Sequence, residues 1–222
     1  PVGVLGADGG DRAAVLAFAN GLAEETDNKE TSKTDSLLIS YKGKLVLESY
    51  FRRGRLNYPH YQMSITKAYT ALALGRAIQL GHASMEDLQK PVVGFLDALQ
   101  PEKLVKGADT ITLGQAMQMG SGIRLNEQKV KELRRHPARL KGQGQIQAYL
   151  EHSAPIPAAP REFKYQGADP CMTMQAVESL VPGSAEAFIR DELFGKLGIT
   201  NYAWQEDISG LTKSAAGSSL RS

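Results

Sequence analysis

Two short β-rich runs joined by a tight turn constrain the fold of this chain more than any other feature. The runs Ser36–Tyr41 and Lys44–Phe51 are rich in aliphatic and aromatic residues, and Lys42-Gly43 between them predicts the turn of an antiparallel hairpin. From Ser64 onward the chain changes to helical patterns. A two-stranded hairpin is only marginally stable in water. We therefore expect an α+β fold whose sheet needs more strands than these 222 residues supply.

Helical patterns occupy most of the remaining sequence. The polar stretch from Glu24 to Asp35 closes the first helix, and the proline-rich segment Ala154–Pro160 predicts an extended connection. The last stretch, 209–222, is rich in Gly, Ser and Ala, and we expect neither a strand nor a helix there. Helices are predicted over 12–25, 64–80, 112–119, 143–152, 172–180 and 184–193, with a capping box at 84–87.

Composition and charge argue against several classes of protein. The content of 42% hydrophobic residues is enough to bury a core, and the net charge of only +2 gives no reason to expect a nucleic acid partner. The densest basic stretch, Lys129–Lys141, is typical of a solvated helix and loop. The single cysteine, Cys171, excludes an internal disulfide, and no apolar run approaches the roughly 20 residues of a membrane span. The four histidines show no metal-ligand spacing: His60, His82, His136 and His152.

Ser64 and Lys67 form a Ser-x-x-Lys motif at the start of an apolar helix. Side chains three residues apart share a helix face, with Cβ atoms about 5 to 6 Å apart, so the amine can reach the hydroxyl. The partial positive charge of a helix N-terminus favours a neutral lysine, which can accept the serine proton. The free N–H groups of the same turn could stabilise an oxyanion. The motif therefore indicates a serine acyl-transfer enzyme.

The same residues permit an ordinary structural interpretation. A serine at this position is a normal N-cap, and a Ser-x-x-Lys motif occurs by chance about once in a chain of this length. The protein would then be a helical interaction domain. Ser121 lacks a nearby base and is typical of a turn. Glu162 and Asp169 flank Tyr165, and their spacing favours ordinary surface charge over a catalytic carboxylate pair.

Several motifs in one order carry a resemblance to a known family. They are the hairpin Leu37–Phe51 followed by His60-Tyr61-Gln62-Met63-Ser64-Ile65-Thr66-Lys67, then Ile111-Thr112-Leu113 with Met119-Gly120-Ser121-Gly122, then Phe163-Lys164-Tyr165, and finally Phe194-Gly195-Lys196-Leu197-Gly198-Ile199. In order and spacing these resemble the serine β-lactamase and penicillin-binding-protein-like family, especially its class C-like branch of esterases, amide hydrolases and carboxypeptidases. The resemblance covers nearly the whole chain.

The resemblance implies a β-lactamase/transpeptidase-like fold, with an antiparallel sheet flanked by helices and a mostly helical subdomain. It implies one serine hydrolase domain over 1–222, with an N-terminal helix and sheet hairpin in 1–60, a mostly helical region in 61–205 and a small-residue-rich end in 206–222. The family's Lys-Thr-Gly or His-x-Gly strand supplies a second oxyanion N–H, and nothing in this chain matches it. We therefore expect the domain to be incomplete at its C-terminus.

The resemblance also implies roles for particular residues. Ser64 would be the acylated nucleophile, Lys67 its activating partner and Tyr165 a proton shuttle to the leaving group, with no metal or organic cofactor. By its residue type alone, a tyrosine between Phe163 and a glycine is more often a packing residue. The family's tyrosine motif commonly runs Tyr-x-Asn, and Gly167 stands at the third position here. The missing side-chain amide favours an ester or small amide over a β-lactam.

Two readings of the function follow from the resemblance. The first is a serine hydrolase that acts on a small-molecule ester, amide or β-lactam-like substrate through an acyl-enzyme on Ser64. The alternative is a penicillin-receptor-like binding or sensor module that is acylated or occupied without turnover. The resemblance points to a bacterial periplasmic or secreted protein. The oligomeric state does not follow from the sequence.

Overall fold

The computed structural model describes residues 1–27 and 33–221. The described residues form two compact units, residues 1–27 and 33–60 with 220–221, and residues 61–219. Part of the polar stretch predicted at 24–35 lies outside the described residues, as does Ser222 at the end of the chain. Within the described ranges no helix is both long enough and apolar enough to cross a membrane.

The first unit contains the predicted hairpin. Its elements are α1 (Arg12–Asp27), β1 (Ser36–Tyr41) and β2 (Lys44–Tyr50). The strands pair antiparallel, with Ser36 opposite Tyr50 and Tyr41 opposite Lys44, and the register shifts between Ile39 and Ser40. Lys42 and Gly43 have φ angles of 48° and 76°. Two central residues with positive φ form the turn whose twist matches that of the strands, so the predicted hairpin is confirmed.

The second unit is mostly helical. Its helices are α2 (Thr66–Gln79), α3 (Leu113–Met117), α4 (Glu127–Arg134), α5 (Gly144–Glu151), α6 (Ala168–Leu180) and α7 (Ala185–Ile189). Its strands are β3 (His60–Tyr61), β4 (Tyr202–Trp204) and β5 (Ser218–Leu220), of which β3 begins and β5 ends with a residue of the first unit. Helix α6 packs against α2, α3, α5 and α7. Ten consecutive residues of α6, 168–177, are buried. This helix is therefore the centre of the core on which the other helices are arranged.

Helix α6 begins at Ala168, four residues before the predicted start at Met172. The prediction began after Pro170, which lies in the first turn of the helix. Proline is tolerated there because the N–H that it lacks has no intrahelical acceptor in the first turn. The predicted caps are confirmed elsewhere, since Ser84 with Asp87 and Thr112 with Gln115 both form capping boxes.

The prediction that 209–222 contains no strand is wrong. Ser218–Leu220 forms β5, the middle strand of a three-stranded sheet with the order β3-β5-β4. The Gln62 N–H donates to the Ser218 carbonyl at 2.8 Å, and the Gln205 N–H donates to the Gly217 carbonyl at 3.1 Å. Small residues suit a middle strand because a neighbouring strand lies close on each side. Pairing with strands far away in sequence overrides the weak local β-propensity of these residues.

Candidate active site

Ser64 lies in a single 3₁₀ turn, Met63–Ile65, which leads directly into α2. The expectation that Ser64 caps this helix is wrong. Gln62 and Ile65 occupy the cap positions, and neither makes a side-chain capping bond. Met63 has a φ of 46°, which places an ordinary residue in the left-handed region and turns the chain sharply just before the serine. The Ser64 hydroxyl is exposed and free to make other contacts.

Lys67 and Ser64 are in hydrogen-bonding contact, as their spacing predicts. Lys67 Nζ lies 2.9 Å from Ser64 Oγ. The same amine donates to the main-chain carbonyl of Ala215 at 2.7 Å. The two contacts hold the amine at the serine.

Tyr165 reaches the same serine from the segment before α6. Its hydroxyl lies 2.6 Å from Ser64 Oγ, and Lys67 Nζ lies 4.8 Å from the centre of its ring. The side chain is 60% exposed, so the alternative of a core packing residue does not describe it. Hydrogen bonds with Ser64 and then with Lys67 lower the pKa of Tyr165 below its ordinary value. The three residues predicted from the sequence therefore meet around one hydroxyl oxygen.

The segment 213–218 holds the lysine from the opposite side, and the sequence analysis missed it. Two threonines on the buried face of α2 bind this segment: Thr66 Oγ1 lies 2.8 Å from Ser218 Oγ, and Thr70 Oγ1 donates to the Ser214 carbonyl at 3.1 Å. Both threonines are almost completely buried. Two hydroxyl residues four apart within an apolar helix could have indicated that another chain segment lies against that face.

Asp169 does not lie on the surface, contrary to the expectation from the sequence. It is fully buried in the first turn of α6, where its carboxylate accepts the Ser121 N–H at 3.0 Å and the Gln166 side-chain amide at 2.5 Å. Burial raises the pKa of the Asp169 carboxyl, and the bonds from Ser121 and Gln166 oppose that shift. Ser121 does lie in a turn, as predicted, but it is also fully buried.

A cavity of about 610 Å³ lies beside the segments that carry Tyr165 and hold Lys67, and its lining includes Lys164, Gln166, Gly167 and Ala215 but not the three residues themselves. This volume lies within the range of about 300 to 1,000 Å³ typical of small-molecule sites. A Cβ built on Gly167 would lie 3.7 Å from the Ala215 Cβ, so the glycine leaves that part of the wall open. Much of the wall is aliphatic, and both signs of charge are present: Leu125, Val130, Leu133, Leu140 and Ile208 are apolar, whereas Arg134, Lys164, Lys213, Glu206 and Asp207 are charged.

Among the residues that the structure describes, no three His, Cys, Asp or Glu side chains are grouped so that they could hold a metal ion.

Comparison with known proteins shows the family from a sequence model and the same fold in solved structures. The Beta-lactamase family model matches residues 20–222. A search of curated proteins by sequence found no significant match. Among solved structures, a putative 6-aminohexanoate-dimer hydrolase from Bacillus anthracis superposes with a TM-score of 0.67 at 17% identity, over 89% of this chain and 53% of that one.

Two further structures are similar. A class C beta-lactamase mutant has a TM-score of 0.70 at 18% identity, over 96% of this chain and 63% of that one. A penicillin-binding protein homologue from Pyrococcus abyssi, described as octameric, has a TM-score of 0.65 at 16% identity, over 96% of this chain and 54% of that one. The chain thus spans between about half and two thirds of the length of these proteins. With a family model that matches most of its length, the chain belongs to the beta-lactamase family.

Proposed function

We propose that the protein is a serine hydrolase that works through an acyl-enzyme on Ser64. The observation that carries this proposal is the convergence of two proton-transfer groups on one hydroxyl, with Lys67 Nζ at 2.9 Å and Tyr165 OH at 2.6 Å from Ser64 Oγ. Both distances are within the reach that proton transfer requires. Membership of the beta-lactamase family supports the proposal.

The geometry suits a two-step acyl transfer. Ser64 Oγ attacks the carbonyl carbon, and its proton passes to the pair formed by Lys67 and Tyr165. The Ser64 N–H lies in the first turn of the helical segment, where N–H groups lack intrahelical acceptors, and it can donate to the oxyanion. Tyr165, which is the more exposed partner, protonates the leaving group. Water then attacks the acyl ester while the same pair accepts its proton, and the acid and Ser64 are released.

The cavity favours a substrate with a linear, largely apolar acyl chain linked through an ester or a secondary amide. Its aliphatic wall suits methylene groups, and charges of both signs can pair with polar ends of a chain. The similar structure described as a 6-aminohexanoate-dimer hydrolase is named for a linear amide of this kind. Gly167 offers no side-chain amide to a β-lactam carbonyl, so we propose linear esters and amides as better substrates than β-lactams.

An acylating probe tests the proposal directly. The intact mass of the protein is recorded before and after reaction with a p-nitrophenyl ester or a fluorophosphonate, for wild type, Ser64→Ala and the control Ser40→Ala. Ser40 is an exposed serine of β1 in the other unit. We expect one adduct in wild type and in Ser40→Ala and none in Ser64→Ala, with unchanged circular dichroism. Labelling that persists in Ser64→Ala would overturn the assignment of the nucleophile.

The same experiment separates hydrolysis from capture without turnover. A hydrolase releases product over many cycles, and its ester adduct decays. A receptor-like module, which the missing amide at Gly167 also permits, keeps a stable adduct and releases one equivalent of leaving group. Multiple turnovers of the ester would eliminate that alternative.

A further inference from the structure

The position of the Tyr165 hydroxyl depends on the main chain around it. The side chain is 60% exposed, and its contacts across the site are the hydroxyl bond to Ser64 and Lys67 Nζ, 4.8 Å from the ring centre. An exposed ring is held weakly by packing, since few atoms surround it. With so little packing around the ring, the main-chain segment that carries Tyr165 determines from which position the hydroxyl can reach Ser64 at 2.6 Å.

That segment is tied down immediately before and immediately after the tyrosine. Before it, the Lys164 N–H donates to the Met119 carbonyl at 2.9 Å. After it, the Gln166 side-chain amide donates to Asp169 Oδ2 at 2.5 Å and lies 3.5 Å from Ser121 Oγ. Both ties lead to the turn that contains residues 119–122. The residues on both sides of Tyr165 are thus hydrogen-bonded towards the same turn, 119–122.

Asp169 joins that turn to the helical core. Its second carboxylate oxygen accepts the Ser121 N–H at 3.0 Å, and its side chain is fully inaccessible to solvent, as is that of Ser121. The turn has two residues in the left-handed region, Met119 and Gly122, with φ angles of 57° and 79°. Because Asp169 and Ser121 are buried and paired, a displacement of either leaves a buried polar group unpaired.

We propose that Asp169 is a positioning residue for Tyr165: its buried carboxylate binds Gln166 and Ser121 at once and so keeps the Tyr165 hydroxyl within reach of Ser64. Asp169 does not touch the reacting atoms and takes no part in proton transfer. The inference rests on the proposed function, because it assigns a purpose to the position of Tyr165. It adds to the proposed site a residue that belongs neither to the Ser-x-x-Lys motif nor to the tyrosine.

An ordinary structural role makes a different prediction. An aspartate in the first turn of a helix stabilises that helix through the helix dipole, wherever the helix is. A residue with only this role would lower stability, and it would affect acylation equally whether or not Tyr165 carries a hydroxyl. A residue that positions the Tyr165 hydroxyl affects acylation only when residue 165 carries that hydroxyl, and so not in Tyr165→Phe.

A double-mutant cycle separates the two roles. The second-order rate of acylation by a p-nitrophenyl ester is measured for wild type, Asp169→Asn, Tyr165→Phe and the double variant. We expect Asp169→Asn to slow acylation roughly 10- to 100-fold in the wild-type background, as a misplaced catalytic group does. In the Tyr165→Phe background we expect a change of less than about 2-fold, because coupled residues are not additive. Equal losses in both backgrounds overturn the inference.

A matched control and a second variant keep the test decisive. Asp87→Asn alters an aspartate in the capping box of another helical turn, and we expect unchanged acylation there. If Asp169→Asn does not fold, Gln166→Ala cuts the same connection without touching the buried carboxylate. If Tyr165→Phe reacts too slowly to be timed, the pH profile of acylation is compared between wild type and Asp169→Asn. We expect the apparent pKa of the alkaline limb to move towards the ordinary tyrosine value in Asp169→Asn. An unchanged apparent pKa overturns the inference. A wild type that is not labelled overturns both the proposed function and this inference.

Discussion

Lys67 donates a hydrogen bond of 2.7 Å to the carbonyl of Ala215, a residue 148 positions further along the chain. The bond draws the amine towards a wall of the cavity and leaves it 2.9 Å from Ser64 Oγ. Holding a flexible lysine side chain at the serine costs rotational freedom, and the hydrogen bond to Ala215 offsets that cost. The segment around Ala215 therefore pre-organises the lysine on which the proposed chemistry depends.

Replacement of the lysine should remove most of the acylation. In Lys67→Met we expect the rate to fall about 10²- to 10⁴-fold, the usual range for loss of a general base. The rate of adduct formation is measured by intact mass. Lys90→Met serves as the control, since Lys90 pairs with Asp87 at the surface. A rate within 3-fold of wild type in Lys67→Met would contradict the role proposed for the amine.

The threonine that holds the 213–218 segment should matter for stability. Thr66→Val leaves the Ser218 hydroxyl and N–H without their buried partner, which lies at 2.8 and 3.2 Å. A buried polar group left unpaired costs about 1 to 3 kcal/mol. Urea denaturation should show a fall of that size in the free energy of unfolding, whereas Thr200→Val, at an exposed position, should show little change. Equal effects of the two substitutions would refute the structural role of this contact.

The pH dependence of acylation should reflect the ionisation of the Tyr165 hydroxyl. Its pKa is lowered mainly by the bond with Ser64 and further by Lys67, so the ionised hydroxyl becomes available below the ordinary value of about 10. We expect the rate of acylation to rise with pH along a limb whose apparent pKa lies below 10, and this limb to be absent in Tyr165→Phe. The value belongs to the coupled group of three residues rather than to the tyrosine alone. A limb that persists in Tyr165→Phe would assign the ionisation elsewhere.

Gly167 should determine which acyl groups the site accepts. Its φ of −85° suits any residue, and a Cβ would lie 3.7 Å from Ala215, so Gly167→Asn is expected to fold normally. The new amide would face the cavity and narrow it. We expect acylation by a β-lactam to gain about 10-fold relative to acylation by a linear ester. The two rates are compared with those of Gly167→Ala, which adds bulk without an amide; the same ratio in both variants would rule out a role for the amide.

Asp169 should make stability depend on pH in a defined direction. Burial raises the pKa of its carboxyl in the folded state above the ordinary value of 3.8. Between the two values the folded protein binds more protons than the unfolded chain, so stability falls as the pH rises through this window. We therefore expect wild type to lose stability relative to Asp169→Asn as the pH rises from about 4, measured by urea denaturation at a series of pH values. A relative gain over that range would show that hydrogen bonding outweighs burial.

The parts of the fold that the sequence predicted correctly are those fixed by neighbouring residues. The hairpin follows from Lys42-Gly43 between two β-rich runs, and the capping boxes at Ser84 and Thr112 follow from residues three apart. The contact between Ser64 and Lys67 is also local, because one turn of helix determines it. Strand β5 was missed because its small residues carry no strong propensity and its partners are far away in sequence.

The remainder of the candidate site was not derivable from local pattern. Tyr165 was found by resemblance to a family, yet its contact with Ser64 joins residues 101 positions apart. Asp169 looked like surface charge because a single sequence does not show what packs against a helix terminus.

The sequence by itself thus determined the hairpin, most of the helices and the serine–lysine pair, since backbone geometry and short-range hydrogen bonds act between neighbours. Only the tertiary structure decided that Tyr165, the Ala215 carbonyl and the buried Asp169 gather around that pair. Burial of the core around α6 brings these distant segments together, and burial depends on the whole chain rather than on any part of it.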